Sequence, residues 1–127
     1  MSKSINGIGA KRHVTGAHYG LKDWLMQRIT AVIMAVFTLV LLIAFLCFTN
    51  KSLLVYEQWA GLFSNPVMQI LTLLAWVSLC YHAWIGIRDI WMDYIKPAGI
   101  RLTLHVFTAL WLIGCAFYCA KILWRFA

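Results

Sequence analysis

Three apolar runs dominate the chain, Ile29 to Thr49, Val67 to Ile87 and Leu102 to Ala120, and none contains Asp, Glu, Lys or Arg. Each is close to the roughly 20 residues a helix needs to cross the hydrocarbon core of a bilayer, so the pattern predicts three transmembrane helices at about 29–49, 67–87 and 102–120. Polar punctuation sets their ends. Asn50, Lys51 and Ser52 close the first run, and Pro66 is suited to opening the second helix. Arg88 and Asp89 mark the emergence of the second run, while Arg101 and Lys121 bound the third. No breaker intervenes between Arg88 and Pro97, so the second helix is expected to continue to about Tyr94. Between the first two spans, Tyr56, Glu57 and Trp59 fit an interfacial loop or a short surface helix.

The amino-terminal part is different. Met1 to Gly20 is polar, basic and glycine-containing, as expected of a flexible cytoplasmic tail or a strap along a partner. Leu21 to Arg28 reads as a short interfacial approach, with Trp24 at the headgroups and Lys22, Asp23 and Arg28 in water. The expected organisation is residues 1–28 as tail and interfacial segment, and residues 29–127 as a single three-helix membrane domain. The first apolar run is too long for the core of a signal peptide and lacks a convincing small-residue cleavage site, so it is expected to stay attached.

Composition agrees: of 127 residues, 63% are hydrophobic and 12% charged, with a mean hydropathy of +0.80, far too apolar for a soluble domain of this size. The fold class expected is an all-α integral membrane protein. A net charge of +7 would suggest nucleic acid in a soluble protein, but here the basic residues lie between the apolar runs, so no nucleic-acid partner is expected. They act as topology signals instead. Lys3, Lys11, Arg12, Lys22, Arg28, Arg88, Lys96 and Arg101 fall on one side, against Lys51, Lys121 and Arg125 on the other. The positive-inside rule puts the N-terminus in the cytoplasm and the C-terminus outside. Cys47, Cys80, Cys115 and Cys119 all lie in apolar segments and read as small hydrophobes. Cys115 and Cys119 share a helix face but lack the partners that would complete a metal site.

The candidate chemistry centres on His82, because an ionisable side chain in hydrocarbon is costly enough to be a functional hypothesis by default. Six residues separate it from Arg88, a depth of roughly 9 Å below the interface, which suits a haem whose iron is buried and whose propionates reach basic residues. An interhelical hydrogen bond, a carbonyl-satisfied imidazole or a water-facing residue would explain His82 equally well at this level. Asp93 lies eleven residues on, within about 20° of the same helix face, and Tyr94 adjoins it. A phenol beside a carboxylate at the rim suits hydrogen bonding to a quinone carbonyl and proton delivery, or equally an aromatic belt with a solvated aspartate. Arg28 and Arg101 lie at the same level, each either a propionate partner or a topology charge. His105 is open to three roles: a second axial ligand, a proton relay or a hydrogen-bonding core residue. His13 and His18, in the tail, are not expected to ligate anything.

The run His82-Ala83-Trp84-Ile85-Gly86, followed by Asp93-Tyr94 and Lys96-Pro97, closely resembles the second-helix signature of the hydrophobic membrane anchor (D) subunit of succinate dehydrogenase, respiratory complex II. The similarity runs in register from about Asp23 through Arg28-Ile29-Thr30-Ala31 to Arg101-Leu102. The resemblance implies that His82 is one axial ligand of haem b, binding the iron opposite a histidine from a sister cytochrome b anchor subunit against which the helices pack. It implies that Tyr94 hydrogen-bonds ubiquinone, with Asp93 beside it and residues of the iron–sulfur subunit completing the pocket, and that Arg28 lies near the haem propionates. Bacterial relatives often carry a histidine six residues before that arginine, where this chain has Lys22. By the same resemblance the flavoprotein oxidises succinate, electrons pass through iron–sulfur clusters to quinone, and this chain is a non-catalytic subunit in the bacterial inner membrane. A related fumarate reductase anchor is the nearest alternative. A small non-haem transporter or assembly factor is the more distant one, and no second intramembrane charge supports an ion-coupled path.

Overall fold

The computed structural model describes residues 17–49 and 56–125, with the side chains of 17–19 and 49 left out. All four of its elements are helices: α1 (Ala17–Thr49), α2 (Tyr56–Ser64), α3 (Pro66–Tyr94) and α4 (Ala98–Trp124). Three of them, α1, α3 and α4, are long and apolar enough to cross a membrane. Helices are what lipid demands, since each then satisfies its own backbone polar groups where no water can. The tail residues 1–16, including His13, lie outside the described residues, and of His18 only the helical backbone is described.

Helix α1 departs from the expected interfacial approach. It is a continuous rod of 33 residues beginning at Ala17, twelve before the apolar run. Leu21 to Arg28 contains no proline and is made largely of good helix formers, and the helix of the apolar run propagates into it. Asp23, Gln27 and Arg28 therefore ride on the same rigid element as the span.

The second helix has the expected bounds, and local chemistry sets both. The Asn65 side chain accepts from the Val67 amide at 2.9 Å, and Pro66 occupies the first turn, where its missing N–H costs nothing. At the other end Ile95 turns extended, and Pro97 then caps α4. Helix α4 exceeds its apolar run by four residues at each end. The connection contains the short surface helix, α2, whose Trp59 meets Phe48 of α1 edge-on at 5.3 Å.

Helix α3 is central, flanked by α1 and α4 on opposite sides. His82 and Gly86 meet α1, whereas Trp76, Cys80 and Trp91 meet α4, roughly 120 to 180° around the helix. The pairings of Thr30 with His82 and Asp23 with Arg88, and of Trp76 with Cys115 and Trp91 with Thr108, show both neighbours antiparallel to α3. The α4 seam is closed by polar stitches: the Trp76 indole donates to the Cys115 carbonyl at 3.2 Å, and the Trp91 indole to Thr108 Oγ1 at 3.2 Å. The buried residues are mostly small, Thr30, Ala75, Ser78 and Thr108 beside Met68 and Ile85, as expected where helices associate by close approach rather than by the hydrophobic effect. The outer faces of α1 and α4 are apolar and exposed along their length, Val36, Leu39 and Ile43 on one, Phe107, Trp111 and Phe117 on the other.

Candidate functional site at the α1–α3 seam

Polar side chains gather where the amino-terminal half of α1 crosses the carboxy-terminal half of α3. Deepest is the contact between Thr30 Oγ1 and His82 Nδ1, at 3.0 Å. The Thr30 hydroxyl also lies 2.8 Å from the Met26 carbonyl and 3.1 Å from the Gln27 carbonyl, one turn back on its own helix. Two oxygens at such a distance need a proton between them, and the hydroxyl has only one. It therefore donates to α1 and presents a lone pair to His82. The tautomer protonated at Nδ1 matches that lone pair, and Nε2, which makes no hydrogen bond to a described residue, is open to the surface rather than buried.

Above this contact lies an ionic layer. Arg88 of α3 pairs with Asp23 of α1 across the seam and reaches its neighbour Asp89 at 3.4 Å. Arg28 stacks its guanidinium over Trp24, 5.4 Å from the ring centroid, and has no carboxylate partner among the described residues. A cleft of about 560 Å³ runs along this layer, with Asp23, Gln27, Arg28, Arg88 and Asp89 on its walls. Two polar atoms there are buried without a partner, Gln27 Oε1 and Arg88 Nε. Gln27 lies against Gly86, where an added Cβ would meet its Nε2 at 3.7 Å, an ordinary contact.

Asp93 and Tyr94 form the last turn of α3, both exposed, Tyr94 to 82%. They stand about three turns, some 16 Å of helix rise, from His82. The helix thus aligns Asp93 with His82, with Tyr94 about 120° around, and brings neither into contact with it. Lys22, Arg28, Arg88, Lys96 and Arg101 all fall at this same end of the three long helices.

His105 is placed elsewhere. Its ring meets Trp84 at 6.0 Å, and Trp84 lies about 200° around α3 from His82. It belongs to the α4 side, so it does not join His82 at one centre, and its Nδ1 is buried without a partner among the described residues. The cysteines are free, and the described residues contain no group of three or more His, Cys, Asp or Glu that could hold a metal ion. A single imidazole completed by a ligand from another chain is not such a group.

Sequence reasoning missed the partners: Thr30 under His82, 52 residues away, and Asp23 opposite Arg88, 65 away. Local periodicity cannot pair residues so far apart; the only hint was a hydroxyl and a carboxylate on α1 at helical offsets that match His82 and Arg88 in an antiparallel crossing.

Comparison with known proteins adds an independent line. Residues 2–117 match the family model described as succinate dehydrogenase/fumarate reductase transmembrane subunit. The chain is 39% identical over 105 residues to the succinate dehydrogenase hydrophobic membrane anchor subunit of Coxiella burnetii, covering 83% of this chain and 89% of the relative. It is 30% identical over 111 residues to the subunit of the same name from Rickettsia conorii, covering 87% and 81%, and 31% identical over 97 residues to that of Rickettsia bellii, covering 75% and 74%.

Proposed function

The chain belongs to the succinate dehydrogenase/fumarate reductase transmembrane subunit family, as a membrane anchor subunit, and we propose that it serves a succinate dehydrogenase by supplying one axial ligand of haem b and part of a ubiquinone site. The observation that carries the reading is a histidine in a membrane span whose Nδ1 meets Thr30 at 3.0 Å while its Nε2 makes no hydrogen bond to a described residue. A ring held through Nδ1 keeps Nε2 available as a donor to haem iron, which fits the chemistry of a ligating histidine.

Haem b, when bound, supplies a one-electron redox centre whose potential depends on its ligands and surroundings. His105 faces away from His82, and the family resemblance implies that a second ligand would come from a sister anchor subunit. Arg28, with no carboxylate of its own, is the guanidinium available to a propionate. Lys22, one and a half turns back, offers a second cation where a histidine is common among relatives. At the rim, the Tyr94 phenol donates to a quinone carbonyl, and the Asp93 carboxylate beside it, open to water, passes protons toward the same oxygen. Succinate oxidation itself falls to the flavoprotein, with the iron–sulfur subunit closing the quinone pocket. The membrane domain spans residues 29–127 in the bacterial inner membrane, with residues 1–28 entering from the cytoplasm and the C-terminus periplasmic.

In the assembled complex, His82→Ala should abolish or strongly weaken the b-type reduced-minus-oxidised spectrum and lower haem stoichiometry. An unchanged spectrum and haem content would overturn the ligand assignment.

A further inference from the structure

The free nitrogen of His82 is only as well defined as the bond that holds the other one. Thr30 is 6% exposed, the one buried polar residue among the described side chains of α1. Its β-branched side chain is stiff at χ1, and back-bonding to Met26 and Gln27 fixes the hydroxyl in one orientation. That orientation leaves an acceptor, and only an acceptor, 3.0 Å from Nδ1. Val in the same place would fill the same space and offer nothing to the ring.

We propose that Thr30 is the positioning residue for His82: by accepting from Nδ1–H it fixes the tautomer and the ring plane, directs the Nε2 lone pair out of the α1–α3 seam, and strengthens that nitrogen as a donor. The proposal rests on the haem reading above. An outer partner on the remote nitrogen of a ligating histidine raises its basicity, and loss of such a partner typically weakens retention of the metal centre by 10- to 100-fold. A stronger imidazole donor favours ferric over ferrous iron, so removing the acceptor should shift haem toward the reduced form.

The experiment is redox potentiometry and ferric electron paramagnetic resonance of the purified complex carrying Thr30→Val, Thr30→Ala or Thr30→Ser. Val keeps the volume and Ala opens the seam; both remove the hydroxyl, and both should raise the reduced-to-oxidised ratio severalfold at an ambient potential where the native haem is half reduced. Haem retention should fall on the order of tenfold in the same two variants. Ser keeps the acceptor and should return native values, which a purely steric role for Thr30 would not require. Native potential and native g values in Thr30→Val and Thr30→Ala would overturn the role while leaving His82 as a ligand. Full haem content in His82→Ala would instead remove the reading beneath it.

Discussion

At His82 the helix supplies depth, but the neighbouring helix supplies chemistry. An apolar span puts the ring below the interface, and a threonine on another element supplies the hydroxyl that its Nδ1 meets. The same distinction separates Tyr94, whose surroundings are open to water or to a partner and whose phenol is therefore free to meet a ligand. Replacing it by Phe removes only that hydroxyl. Tyr94→Phe is expected to lower quinone reduction at least tenfold, on the scale of a lost proton-transfer or orienting group, while succinate oxidation with an artificial acceptor persists. Equal rates in both assays, relative to native, would remove the residue from the quinone site. His82 was legible in the sequence because a titratable group in hydrocarbon stands out. Thr30 was not, because a threonine in an apolar run is unremarkable until its partner is known.

Between elements, the α1–α3 contact depends on register. Asp23 and Arg88 bridge the seam just under two turns from the Thr30–His82 pair, so the ion pair and the hydrogen bond specify the same alignment. Both partners are about 30% exposed, at 29% and 31%, so the pair should contribute about 0.5–1 kcal/mol rather than the larger value of a buried bridge. Arg88→Gln and Asp23→Asn should each destabilise by about that amount, and the double variant by less than their sum, in a double-mutant cycle read by thermal unfolding of the purified complex. Strict additivity would show the pair uncoupled. On the opposite side of α3, Thr108→Val strips the Trp91 indole of its acceptor and should cost about 0.6 kcal/mol, the usual scale of an interhelical hydrogen bond in lipid. The ends of α3 were readable from Pro66 and Pro97, since prolines act locally. The start of α1 was not: hydropathy marks where a helix meets lipid, not where it begins.

For the whole molecule, the flanking of α3 on both sides leaves α1 with one face covered and the rest of its surface apolar. All the described basic residues except Lys121 and Arg125 gather at the end carrying Asp93 and Tyr94, which fits a cytoplasmic face for the quinone. Alkaline phosphatase fused after Ala127 should be active in the periplasm, and green fluorescent protein fused there should not fluoresce; the reverse pair of results would invert the topology. The sequence by itself determined that lipid is the solvent, how many helices cross it, where α3 starts and stops, and that His82 and Asp93 share one side of it, with Tyr94 next to Asp93. All of these follow from hydropathy, prolines and helical period, which act within a few residues. Only the tertiary structure decided that α3 is central, that His105 turns away from His82, and that Thr30 and Asp23 meet His82 and Arg88. Those pairings join positions more than fifty residues apart, and only the packing of one helix against another brings them within reach of a hydrogen bond.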